Sequence, residues 1–113
     1  MKSEHQLPFQ KLDVYIVARE LVRVVHESKV RDAELRDQAT RAAKSCFLAL
    51  CEGLPSESVA MRRKYFASSD GSLCETVGAM DVASVIGAVD DEYADATQEL
   101  GYRLKGMLRA LQR

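Results

Sequence analysis

Ser72 stands in the stretch Asp70-Gly71-Ser72-Leu73-Cys74-Glu75, with a carboxylate on either side of a hydroxyl that could in principle act as a nucleophile. Acyl or phosphoryl chemistry at such a serine also needs a positioned base and an oxyanion site. A serine inside a helix has its neighbouring amides committed to helical hydrogen bonds, so the residue reads better as a small side chain at a tight helix contact. The three cysteines offer little more. Cys46 and Cys51 are five residues apart, about 140° around a helix axis, and so face no common metal. All three, Cys74 included, sit among apolar residues, where a thiol packs as a small hydrophobe. Only His5 and His26 could supply imidazole, and neither lies three residues after a glutamate, which rules out the di-iron pattern of ferritin-like bundles. No metal or other cofactor is expected, and no catalytic residue is assigned.

Charged side chains carry more information. Glu52 falls near the end of a helix, where a carboxylate opposes the helix dipole, and Arg62, Arg63 or Lys64 could compensate it as a structural ion pair. Arg36, Arg41 and Lys44 form one basic group and Arg62-Arg63-Lys64 a second, and both could neutralise phosphates. No aromatic platform is interleaved with them, and Glu34 and Asp37 dilute the first. A solvated face is the preferred reading, with any RNA or DNA binding expected to be weak, sequence-independent and salt-dependent. Nothing resembles a glycine-rich phosphate loop.

These side chains must be positioned by a chain of 113 residues, a length that suits one domain, 1–113. Its charge is uneven: residues 1–64 hold twelve Lys/Arg and nine Asp/Glu, residues 65–102 hold eight acids and no Lys or Arg, and residues 103–113 hold four bases and no acid. An odd number of cysteines and the lack of a charged-then-apolar leader point to the reducing cytoplasm. The longest nearly uncharged run, 76–89, is interrupted by Asp81 and is too short for a bilayer, so no membrane span is expected.

Apolar spacing predicts four helices, at about 13–28, 33–52, 58–88 and 91–111. Val14, Ala18, Leu21 and Val25 make the stripe of the first, and Leu35, Ala39, Ala42, Cys46 and Leu50 that of the second. Asp32 can cap the second helix, Gly53 reads as its left-handed C-terminal residue and Pro55 as the stop. Ser56 or Ser58 starts the third, Asp90 or Asp91 the fourth. Tyr93, Thr97, Leu100, Leu104, Met107 and Leu111 then run at heptad spacing. Asp70-Gly71 looks locally like a turn, yet Phe66, Ser69, Leu73, Val77, Met80 and Ser84 keep helical spacing through it. One long third helix follows. Short links make neighbours antiparallel, so the fold class is all-α, an antiparallel up-down-up-down four-helix bundle with Leu21, Val25, Ala42, Cys46, Phe66, Leu73, Leu100 and Leu104 in its core.

Gly71 and Gly78 each cost about 1 kcal/mol inside a helix relative to Ala, and close approach of another backbone is the expected compensation. Val82, Val85 and Val89 form an apolar stripe beside that of Val77 and Met80. A monomeric bundle needs only one such face, so Gly71, Ser72, Gly78, Val82, Val85 and Val89 are the expected contacts of a homo-oligomer.

The stretches "LRDQATRAAKSCFLALCEG" and "YFASSDGSLCE" resemble the 23S rRNA intervening sequence protein family. Gln38, Arg41, Ala42, Ala43, Ser45, Glu52 and Gly53 match its second-helix run, and Gly71, Ser72, Leu73 and Glu75 its third-helix run. Leu12, Tyr15 or Ile16, and Ala18 fit its opening helix, while Thr40, Ala49 and Asp70 depart from the pattern. The resemblance implies an antiparallel four-helix bundle that assembles with itself, in known members as a pentamer, with no enzymatic activity established. The accessory variability protein of diversity-generating retroelements is similar too; it binds nucleic acid and a reverse transcriptase, but is strongly basic where this chain is not. The reading is a non-catalytic homo-oligomeric assembly or adaptor module with an unknown protein partner. The alternative is a nucleic-acid-binding accessory protein.

Overall fold

Four helices, α1 (Asp13–Glu27), α2 (Ala33–Gly53), α3 (Val59–Val85) and α4 (Asp91–Leu111), make up the computed structural model, which describes residues 4–113. A 3-10 turn, Pro8–Lys11, precedes them, and there is no strand among the described residues. Local chemistry sets the starts. The Asp32 carboxylate accepts the Leu35 N–H at 2.9 Å, and the Ser58 hydroxyl accepts that of Met61 at 3.3 Å. Asp13 lies in the first turn of α1, and Asp91 and Glu92 in that of α4, where they complement the helix dipole.

Links of five residues join the helices. Cross-helix contacts give the direction: Tyr15 meets Phe47, Cys46 meets Ser69, Gly53 meets Phe66, Asp70 meets Lys105 and Val77 meets Gly101. In the α2/α3 and α3/α4 pairs one number rises as the other falls, and Tyr15 near the start of α1 meets Phe47 near the end of α2, so sequential neighbours are antiparallel. α1 packs on α2, α2 on α3, α3 on α4 and α4 on α1, closing an up-down-up-down bundle of 43 × 31 × 20 Å. Leu21, Val25, Ala42, Cys46, Phe66, Leu73 and Leu104 are buried in its core, and Leu100 is half-buried against it.

α3 runs unbroken through Asp70-Gly71, about 40 Å of helix at 1.5 Å per residue. It stops at Val85 rather than 88. Gly87 adopts φ +72°, and the Ala88 N–H donates back to the Ala83 carbonyl at 2.7 Å, a left-handed helix stop. The turn carries Val89 into the core at 4% exposure, so Val89 does not belong to the outward apolar stripe.

Among the described residues the other left-handed one is Lys29, φ 46°, in the α1–α2 link. Gly53 is not one. It ends α2, and its lack of a side chain answers a close approach: a Cβ there would lie 2.7 Å from Phe66 Cε1 and 3.1 Å from Tyr65 Cβ. The tight glycine of α4 is Gly101, whose Cβ would lie 2.7 Å from Val77 Cγ2.

Candidate interaction surfaces

Helical geometry places Ala67, Gly71, Cys74, Gly78, Val82 and Val85 on one outward row of α3, at steps of four, three, four, four and three. All six are exposed and none is charged. Val85 is 80% exposed and Val82 48%, with Ile86 beside them at 56%. Gly71 and Gly78 therefore face outward: a Cβ at either meets nothing within 4 Å, and no backbone of the same subunit approaches them. Ser72 flanks the row half-buried, and its carbonyl accepts the Thr76 hydroxyl at 2.8 Å. The small residue that makes a tight polar contact is instead Ser69, whose buried hydroxyl donates to the Cys46 carbonyl at 2.8 Å.

Beside that row, between α3 and α4, lies an open, largely apolar groove of about 400 Å³. Leu73, Val77 and Gly101 line it together with Cys74, Gly78, Gln98 and Tyr102, the last 82% exposed. At one end Lys105 Nζ donates to both Asp70 carboxylate oxygens at 2.9 Å, a hydrogen bond that raises the lysine pKa above its ordinary value. At the other end a smaller cavity of about 140 Å³ is shared by Asp81, Ser84, Asp95, Thr97 and Gln98. The buried Thr97 Oγ1 has no hydrogen-bond partner among the described residues.

The two basic groups divide by role. Arg62 donates to the carbonyls of Leu54 at 2.8 Å and of Gly53 and Ser56 at 3.3 Å, and its guanidinium lies over the Phe66 ring at 5.0 Å. It thus closes the C-terminal end of α2 directly. Glu52 is exposed and in no ion pair among the described residues, which corrects the expected pairing with Arg62, Arg63 or Lys64. The last carbonyls of a helix lack intrahelical partners, and the Arg62 guanidinium supplies donors to them instead. Arg36 donates to the Val30 carbonyl at 2.9 Å, and Arg41 is near Asp37 at 3.5 Å. Arg63, Lys64 and Lys44 are exposed, with Lys64 Nζ over the Tyr65 ring at 5.8 Å.

A second groove, about 360 Å³, crosses α2 and α3. Its lining includes Gln38, Arg41, Lys44, Ser45, Leu48 and Glu75. Of the motif residues of the two helix runs, Ala42, Ala43, Gly53 and Leu73 are buried and Gln38, Arg41, Ser45 and Glu75 meet at one surface, while Glu52, Gly71 and Ser72 belong to neither set. Spacing along a single helix could not show that meeting.

Burial pushes the Cys46 thiol up to about 11, and burial raises that of Cys51 as well; Cys74 is exposed, and all three are free. Among the described residues no group of three or more His, Cys, Asp or Glu could hold a metal, and no helix is long and apolar enough to cross a membrane.

Four antiparallel helices with shallow grooves between them and an uncharged row on the outside define a four-helix-bundle protein. The chain belongs to the 23S rRNA-intervening sequence protein family, whose model matches residues 10–110. Among curated proteins, none matches it.

Proposed function

We propose that this protein is a non-catalytic, homo-oligomeric assembly or adaptor module of the cytoplasm, whose subunits meet along the outward row of α3. The observation that carries the reading is that row itself: Gly71, Cys74, Gly78, Val82 and Val85 are exposed and uncharged on a surface helix. Glycine inside a helix costs about 1 kcal/mol relative to alanine, and here no neighbour within the subunit explains it. A flat, apolar helix face suits the backbone of a second copy. The family resemblance favours a closed ring of five, in which one heterologous contact repeats until it returns to its start. Three free cysteines fit a reducing compartment. Light scattering of wild type beside Val82→Glu and Val85→Glu tests the reading, with dissociation and unchanged helicity expected of the variants.

The nucleic-acid reading has less support, because Arg62 and Arg36 use their guanidinium groups on main-chain carbonyls. Residues 65–102 also present eight acids and no Lys or Arg to a phosphate backbone.

A further inference from the structure

The α3/α4 groove has the layout of a helix-binding cleft. Two adjoining cavities that share Val77 and Gln98 make it up: Cys74, Gly78 and Asp81, at steps of four and three, line its α3 wall, and Asp95, Gln98 and Tyr102, at steps of three and four, line its α4 wall. Leu73, Val77 and Gly101 form the apolar part between them. Gly78 keeps the α3 wall low, since a Cβ there would meet nothing within 4 Å. From Leu73 to Ser84 the α3 side of the cleft extends about 16 Å, three turns of a seated helix.

Charge specifies what can lie there. Among the described residues Lys105 is the one cation that lines the groove, and it is held by Asp70. Asp81 and Asp95, at the far end, are in no ion pair among the described residues, and Glu99, four residues after Asp95 on α4, is exposed with no ion pair either. The partnerless hydroxyl of Thr97 belongs to the same end. A surface that is apolar in the middle, acidic at one end and without a free base asks for an occupant with the opposite pattern.

We propose that the α3/α4 groove binds an amphipathic helix of a partner protein, with two or three apolar side chains at i, i+3/i+4 and i+7 over Val77 and Gly101 and with Lys or Arg over Asp81 and Asp95. This rests on the adaptor reading and supplies its partner by chemical class; the subunit contact then centres on Val82 and Val85, with Cys74 and Gly78 at the edge that the two surfaces share. Tyr102, a large aromatic projecting at the rim, is the anchor of the α4 wall.

The test titrates the full chain into a fluorescein-labelled 14-residue amphipathic helical peptide of Leu and Lys, followed by anisotropy, beside its Leu/Glu counterpart and a Leu/Lys scramble. The expected result is saturable binding of the Leu/Lys helix alone, weakened about tenfold or more by Tyr102→Ala and by Asp81→Lys with Asp95→Lys, and unchanged by Arg41→Glu with Lys44→Glu. Circular dichroism verifies that each variant is folded, and light scattering on the same samples reads the oligomer separately. No binding, equal binding of the scramble or the acidic peptide, or binding indifferent to Tyr102→Ala and the double lysine variant overturns the proposal, whatever the mass. Dissociation of an oligomer by Tyr102→Ala without peptide binding overturns it too, and assigns the groove to a second copy.

Discussion

Lys105 Nζ lies 2.9 Å from both carboxylate oxygens of Asp70, and the pair ties α4 to α3 beside the exposed Gly71. The hydrogen bond that Lys105 donates to Asp70 holds the lysine pKa above its ordinary value, against a smaller opposing effect of desolvation. A cation whose folded pKa exceeds the unfolded one, about 10.4 for lysine, contributes stability that is fully present below that pH and lost as pH rises through the folded value. Asp70→Asn should remove this loss. Thermal melts followed by circular dichroism from neutral to strongly alkaline pH should therefore show a steeper alkaline fall for wild type than for the variant; parallel curves would mean that the pair contributes nothing.

Thiol reactivity should rank the three cysteines by burial. In the folded protein at mildly alkaline pH, Cys74 should react with a disulfide reagent first and Cys51 more slowly. Cys46, fully buried and pushed up to about 11, should stay silent until denaturant is added. Fast labelling of all three would contradict the packing of α2 on α3.

Arg62 and Glu52 make a contrasting pair. Arg62→Ala deletes a charged donor shared by three carbonyls at the α2 terminus and should cost about 1–3 kcal/mol in urea unfolding. Glu52→Gln should fall within about 0.5 kcal/mol of wild type, as exposed substitutions do. Equal losses would restore the ion pair between them.

Two glycines should respond in opposite directions. Gly53→Ala drives a methyl into the buried Phe66 ring and should destabilise by about 1–3 kcal/mol. Gly78→Ala meets nothing and should raise the stability of the isolated subunit by about 1 kcal/mol, through helix propensity alone. Denaturant titrations at concentrations low enough to keep the chain monomeric would read both.

Core side chains such as Phe66, Leu73 and Leu104 are legible in the sequence because burial on a helix imposes a period that survives inspection. The same period hid the end of α3. Val82, Val85 and Ile86 are apolar although exposed, so the pattern runs on toward Gly87 without marking the stop. Gly53 reads from the sequence as a left-handed cap, but a close approach selects glycine too, and only Phe66 in three dimensions distinguishes them. Arg62 could equally have served a carboxylate or a row of carbonyls, and the path of the 54–58 link decides which. The meeting of Gln38, Arg41 and Ser45 with Glu75 depends on helix register across two elements, which no single-helix spacing encodes.

The outward row of α3 is where the whole account is most exposed to test, and light scattering at micromolar concentration addresses it directly. The account predicts a wild-type mass that is a multiple of 12.6 kDa and a fall to a single subunit of unchanged helicity for Val85→Glu, since that side chain is 80% exposed in the isolated chain. A wild-type protein that stays at 12.6 kDa across that range would contradict it.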